Sequence, residues 1–198
     1  MSKVPIKLVF ATHNANKYRE VRAQLPSEID LLYLADLTHE APVEETAQSL
    51  RGNALLKMDA VVQTTGMNCF ADDTGLEVMA LNGAPGVYSA RYAGPKANAE
   101  ENMAKLLNSM VDLEDRRAQF RTVIALSWNG VTHYFEGICS GHILRQPRGI
   151  AGFGYDPIFQ PLGHDRTFAQ MTLAEKSVLS HRGLAMNQLM EWLRDHLK

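Results

Sequence analysis

Two adjacent carboxylates, Asp72 and Asp73, stand inside the stretch Cys-Phe-Ala-Asp-Asp-Thr-Gly-Leu-Glu-Val at residues 69–78. A short apolar strand over Cys69, Phe70 and Ala71 would carry both acids at its carboxyl end, where ligands sit in open α/β sheets. Successive side chains on a strand point to opposite faces. One acid is therefore free to face a metal or a water while the other orients a neighbour. Asp-Asp-Thr-Gly is also an ordinary polar turn. The expectation is a strand, a turn at Thr74-Gly75, and a second apolar segment over residues 76–81. The functional reading gains weight from the polar clusters elsewhere in the chain.

The first cluster follows a buried strand predicted at residues 7–12. A loop, His13-Asn14-Ala15-Asn16, leads into a helix over residues 17–25, with Asn14 or Asn16 as its cap and Pro26 as its end. A strand, a short loop and a helix start favour an anion over the loop. The glycines and the Gly-Lys-Ser/Thr end of a phosphate-binding P-loop are missing, so Thr12, Asn14 and Lys17 would supply side-chain donors. Further on, Glu44 and Glu45 precede Thr46, the expected cap of a helix running to about residue 65. Leu50, Ala54, Met58 and Val61 mark its buried stripe. Asn53 and Lys57 share a face four residues apart: either they are solvated surface or they line a cleft, and composition alone favours the surface.

The loop at residues 82–95 is rich in glycine and proline and carries Ser89 and Arg91. Residues 152–159, Gly-Phe-Gly-Tyr-Asp-Pro-Ile-Phe, suit a tight loop able to stack a planar ring. Thr172 and Glu175 have capping-box spacing. Lys176, His181 and Arg182 either converge where residues 180–183 interrupt two helices or form a solvated basic patch.

The elements that must position these groups follow from periodicity. A second strand is expected at residues 30–35. A helix over residues 98–110 turns Met103, Leu106, Leu107 and Met110 inward. Two strands at 119–128 and 131–138 are joined by Asn129-Gly130, the strongest short-range hairpin signal. Parallel crossovers beside a hairpin make the sheet mixed and the class α/β. The final helix spans 184–197. The 198 residues fit one domain, or one with a small lobe, and suffice for a real core. With 45% hydrophobic residues, 21% charged residues and a net charge of −2, the chain has no electrostatic footprint for a nucleic acid polymer. No apolar run reaches membrane-spanning length or forms a signal-peptide core. Cys69 and Cys139 lie in no metal-like spacing, so a reduced, cytoplasmic protein is expected. Carboxylates without thiolate or paired-imidazole partners favour a hard cation such as Mg²⁺, or Mn²⁺.

Taken in order, the segments ATHNANK, EET, ADDTGL, GAPGVYSARY, GFGYDPIF and TLAEKSVLSHRG resemble the inosine triphosphate pyrophosphatase family, over about residues 7–190. FGYDP together with EKSxxSHRG is the most specific part. The resemblance implies an elongated mixed β-sheet flanked by helices, two lobes around a central nucleotide cleft in a single pyrophosphatase domain over residues 1–198, and a homodimer. It implies Mg²⁺-dependent hydrolysis of non-standard purine nucleoside triphosphates (ITP, dITP, XTP) to the monophosphate and pyrophosphate. By the motif match, Thr12, His13, Asn14, Ala15, Asn16 and Lys17 would hold the triphosphate. Asp73 would be catalytic base and metal ligand, with Glu45, or its neighbour Glu44, completing the metal site. Thr74 would touch substrate, and Phe153, Gly154, Tyr155, Asp156, Lys176, His181 and Arg182 would hold sugar and base. Phe153 or Tyr155 would stack the ring. Two positions depart from the family pattern: His13 stands where glycine is usual, and Thr74 where serine is common. A pyrophosphatase for other modified nucleotides, or a nucleotide-binding protein without catalysis, would use the same residues with a different base pocket or without turnover.

Overall fold

The computed structural model describes residues 5–37 and 43–196. Among the described residues, seven strands form one mixed sheet: β1 (Ile6–Phe10), β2 (Ile29–Tyr33), β3 (Cys69–Val78), β4 (Pro85–Gly86), β5 (Arg117–Trp128), β6 (Val131–Ile143) and β7 (Phe159–Pro161). The strand order is β2-β1-β3-β5-β6-β7, with β4 paired to β3. β1 runs parallel to β2 and β3, whereas β3–β4 and β6–β7 are antiparallel. The helices are α1 (Ala15–Arg22), α2 (Leu34–Leu37), α3 (Leu50–Thr65), α4 (Ala99–Ser109), α5 (Leu173–Leu179) and α6 (His181–His196). The expected hairpin forms, with Asn129 and Gly130 both at positive φ (49° and 80°) as a two-residue turn requires. Among the described residues, no helix is long and apolar enough to cross a membrane.

The chain divides into two compact units. The first comprises residues 1–73, 123–136 and 185–198, the second residues 74–122 and 137–184. In the first unit, strand alternation builds two cores. Leu8, Phe10 and Phe70 pack with Val21 of α1 and with Ala185, Met186 and Leu189 of α6. Val9, Ala11, Cys69 and Ala71 face the other way, onto Ala54, Met58 and Val61 of α3. The second unit has a single cluster, in which Leu76 and Val78 of β3 meet Leu106 of α4, Phe120, Tyr155, Phe159 and Phe168.

Three local expectations are corrected. No turn forms at Thr74-Gly75; β3 runs unbroken from Cys69 to Val78. Gly75 serves close approach instead, because a Cβ there would lie 2.7 Å from the Gly86 carbonyl oxygen of β4. The cap of α3 is Ser49, whose hydroxyl accepts from Gly52 N, not Thr46. The Asn53 side chain accepts from Ala47 N at 2.9 Å, which folds the preceding chain back over the helix and leaves Thr46 outside it. Finally, α6 begins at His181, with Gly183 N donating to the Ser180 hydroxyl at 3.1 Å. His181 and Arg182 therefore lie in the first turn of a helix and not in an interruption.

Candidate functional site

The alternation of β3 decides what the two acids do. Asp72 follows Phe70 onto the face covered by α1, and Asp73 follows Ala71 onto the face covered by α3. Asp72 meets Lys17 of α1, Nζ to Oδ1 at 2.9 Å. Asp73 meets two residues of α3: Lys57 donates to Oδ1 at 3.0 Å and the Asn53 amide to Oδ2 at 3.2 Å. Lys57 also donates to Glu45 at 2.9 Å. A helix turn brings Asn53 and Lys57 to one face, and Asn53 is fully buried. Of the two readings for this pair, the solvated surface is thereby excluded, because the residues beside the apolar stripe have a buried carboxylate, Asp73, to pair with. Asn53 is fixed from both sides: Ala47 N donates to its oxygen, so its nitrogen faces Asp73.

The electrostatics follow from that packing. Burial pushes the Asp73 carboxyl above the usual carboxylate range, against the pull of Lys57 and Lys17. Burial alone would push the Lys57 ammonium down; the charges of Asp73, Asp72 and Glu45 outweigh it and hold it above its ordinary value. Both directions fit one picture: a lysine kept charged by several acids, and an acid whose charge costs desolvation.

Among the described residues, no three His, Cys, Asp or Glu side chains gather as a metal-binding group. The donor set nonetheless fits a hard cation of the Mg²⁺ kind, which uses one or two protein carboxylates together with substrate phosphates. Carboxylate oxygens of Glu45 and Asp73 already converge on one cationic atom, Lys57 Nζ. Of the adjacent acids Glu44 and Glu45, it is Glu45 that joins this group.

The loop before α1 is internally tied. Asn14 N donates to the Thr12 hydroxyl, and the Asn14 side chain accepts from Asn16 N and Lys17 N. Two first-turn N–H groups of α1 are thus capped by the protein itself. The Lys17 ammonium, half-buried beside Asp72, is the strongest donor of this segment. His13 has an exposed side chain, and its carbonyl accepts from the Tyr33 hydroxyl at 2.9 Å.

In the second unit the structure brings together most of the residues expected to bind sugar and base. Lys176 and Asp156 form an ion pair at 2.6 Å, with side chains only 5% and 4% exposed. Phe153 N donates to the same Asp156 oxygen at 2.9 Å. The Lys176 ammonium lies 5.0 Å and the Arg182 guanidinium carbon 5.7 Å from the Phe153 ring centre. Arg182, 1% exposed, donates to the Thr74 hydroxyl at 3.1 Å. A buried set of cations around one ring replaces the solvated basic patch. His181, also buried, stacks on Phe120 with ring centres 4.5 Å apart. Tyr155 is set apart from this group: it is buried in the apolar cluster and its hydroxyl donates to the Ser89 carbonyl at 2.8 Å. Burial pushes its phenol above the ordinary range. Phe153, half-buried between Gly152 and Gly154, keeps the more accessible ring.

Sequence reasoning did not single out Thr122, fully buried, whose hydroxyl lies 2.7 Å from that of Thr74. Nothing in the pattern of β5 marks it. Asn53 and Lys57 were detectable in principle, as polar residues four apart bordering an apolar stripe.

Comparison with known proteins agrees with this architecture. The model of the Ham1 family matches residues 8–192. A dITP/XTP pyrophosphatase of Christiangramia forsetii is 53% identical over 95% of this chain and 99% of its own length. One from Porphyromonas gingivalis is 48% identical over 94% of this chain and 97% of its own. The Staphylococcus aureus Ham1 protein superposes with a TM-score of 0.87 at 40% identity, over 96% of this chain and 99% of that one. A HAM1 protein from Coxiella burnetii gives 0.88 at 39% identity over the same shares. With its family model covering nearly the whole chain and its sheet, helices and acidic pair in place, this protein belongs to the Ham1 family.

Proposed function

We propose that this chain is a nucleoside triphosphate pyrophosphatase. It hydrolyses non-standard purine nucleotides (dITP, XTP and ITP) to the monophosphate and pyrophosphate, and so clears deaminated purines from the nucleotide pool. The observation that carries the reading is the gathering of Asp73 and Glu45 on Lys57, with Asn53 locking Asp73 from the other side.

In this reading the residues divide the work. Thr12 to Lys17 receive the triphosphate, with the Lys17 ammonium against phosphate charge. Asp73 accepts a proton from the water that attacks the α-phosphorus. The carboxyl is suited to that: its lifted proton affinity makes it a better base than an exposed aspartate. Glu45 and Asp73 would hold Mg²⁺, with Mn²⁺ a substitute; the bound cation supplies charge neutralisation on the phosphates and an acidified water. Pyrophosphate leaves opposite the attacking oxygen. Such chemistry rests on positioning and electrostatics, so no nucleophilic serine or cysteine is needed.

Thr74, Phe153, Gly154, Asp156, Lys176, His181 and Arg182 receive sugar and base, with Phe153 as the stacking ring. Tyr155 contributes by fixing the loop through Ser89. Hypoxanthine and xanthine carry an acceptor oxygen at C6, where adenine carries an amino donor. Arginine only donates, so Arg182 matches the first and leaves adenine's amino group unpaired. The two units act as one pyrophosphatase domain, the protein is a homodimer, and its buried free cysteines suit the cytoplasm.

The test is pyrophosphate release from ITP, XTP, dITP, GTP, ATP and dTTP, with and without Mg²⁺. Fast Mg²⁺-dependent release from ITP and XTP with little from ATP is expected. Orthophosphate in place of pyrophosphate would move the attack to another phosphorus and end this reading.

A further inference from the structure

We infer that Thr122, acting through Thr74, is a positioning residue for base selection: its hydroxyl fixes the aim of Arg182. The inference rests on the function proposed above.

The argument begins with what each group can do. The Arg182 guanidinium has donors only, so the Thr74 oxygen accepts its N–H at 3.1 Å. The Thr74 oxygen also lies 2.7 Å from the Thr122 oxygen, with either hydroxyl able to donate. If Thr74 donates to Thr122, its oxygen becomes the better acceptor for Arg182, because linked hydrogen bonds polarise one another. If Thr122 donates, the Thr74 oxygen is held between two donors. Either arrangement pins the Thr74 rotamer, which is already stiff through β-branching.

Fixing Thr74 fixes more than one bond. Guanidinium is a rigid planar fork, so anchoring one nitrogen narrows the directions its other donors can take. The Phe153 ring, 5.7 Å from the guanidinium carbon, bounds the fork on another side. Burial makes this anchor matter: Arg182 is 1% and Thr122 0% exposed, so water does not substitute for a lost partner. Thr122 itself lies on β5 and is fully buried, its hydroxyl within hydrogen-bond reach of Thr74. A valine would fill its volume and delete its hydrogen bond.

The experiment measures kcat/KM for ITP and ATP in the unaltered protein, Thr122→Val, Thr122→Ser, Thr74→Val and the Thr74→Val/Thr122→Val pair, with thermal melting alongside. In Thr122→Val the ITP-over-ATP ratio is expected to fall by about 3- to 10-fold, the scale of one lost neutral hydrogen bond. The loss should appear in KM for ITP, with kcat little changed, and Thr122→Ser should restore the ratio. In the Thr74→Val background, Thr122→Val should add no further loss, since residues in one chain of contacts are not additive. If Thr122→Val alone melts too low to assay, Thr122→Ala, which deletes the same hydroxyl, serves in its place with the same expected fall. An unchanged ratio in Thr122→Val, an equal fall in Thr122→Ser, or additive losses in the pair would each overturn the role. If the unaltered protein does not favour ITP over ATP, the functional reading itself fails and takes this role with it.

Discussion

Two groups of charged residues, one in each compact unit, treat ion pairing differently. In the first unit, Asp72 and Asp73 are matched by Lys17 and Lys57, whose side chains keep 16% and 15% of their surface exposed. In the second, Lys176 is 5% exposed in its pair with Asp156, and Arg182 is 1% exposed against Thr74. Partly wet lysines can exchange an acid for a phosphate or a metal at modest cost. Sealed cations exchange partners less readily, because each is desolvated and already paired. That contrast supports the proposal that the first group carries chemistry and the second selection.

The largest expected effect breaks the first group. Asp73→Asn keeps shape and an acceptor oxygen but removes the base, so turnover should fall by about 10²- to 10⁴-fold. Binding of ITP, followed by calorimetry, should stay within a few-fold. Near-normal turnover would take Asp73 out of the role of base. Next in size is the sealed pair. Lys176→Met strands a buried carboxylate and should cost about 3–5 kcal/mol of stability in urea melts. Lys17→Met also strands a buried carboxylate, Asp72 at 2% exposed, but the 16% exposure at Lys17 lets water reach the vacated place, so the cost should be smaller; equal costs would erase the contrast between the groups. Arg182→Ala should then narrow the ITP-over-ATP ratio by about 10-fold or more with a smaller effect on kcat. An unchanged ratio would place base selection elsewhere. The smallest effect concerns the start of α5, which carries Lys176. Arg166 and then Thr172 hold Glu175 down to about 2, below its ordinary 4.5. A depressed acid contributes stability above its unfolded value and loses it as pH falls through its folded value. The melting temperature should therefore show a shallow loss between about pH 4.5 and pH 2 that is reduced in Glu175→Gln. Identical pH profiles for both proteins would remove this contribution.

Much of the site was legible in residues 69–78, because a period of two places Asp72 and Asp73 on opposite faces whatever surrounds them. The capping box at Thr172 and Glu175 and the Asn129-Gly130 hairpin were equally local, and both form. What local rules missed depended on distant partners. Asn53 and Lys57 looked like surface residues because nothing nearby in sequence shows that Asp73 and Glu45 come to meet them. Gly75 looked like a turn because its reason, the carbonyl of Gly86, arrives from another strand. Phe153 and Tyr155 were interchangeable on paper; burial against Ser89 separates them.

The sequence by itself therefore determined most of the principal elements, the mixed α/β class and the family, since periodicity, caps and ordered motifs are properties of contiguous residues. Only the tertiary structure decided which lysine neutralises which acid, which cations are sealed from water, and that Thr122 backs Thr74. Those facts depend on approach distances and desolvation, which are set when strands and helices far apart in the chain are brought within hydrogen-bonding reach.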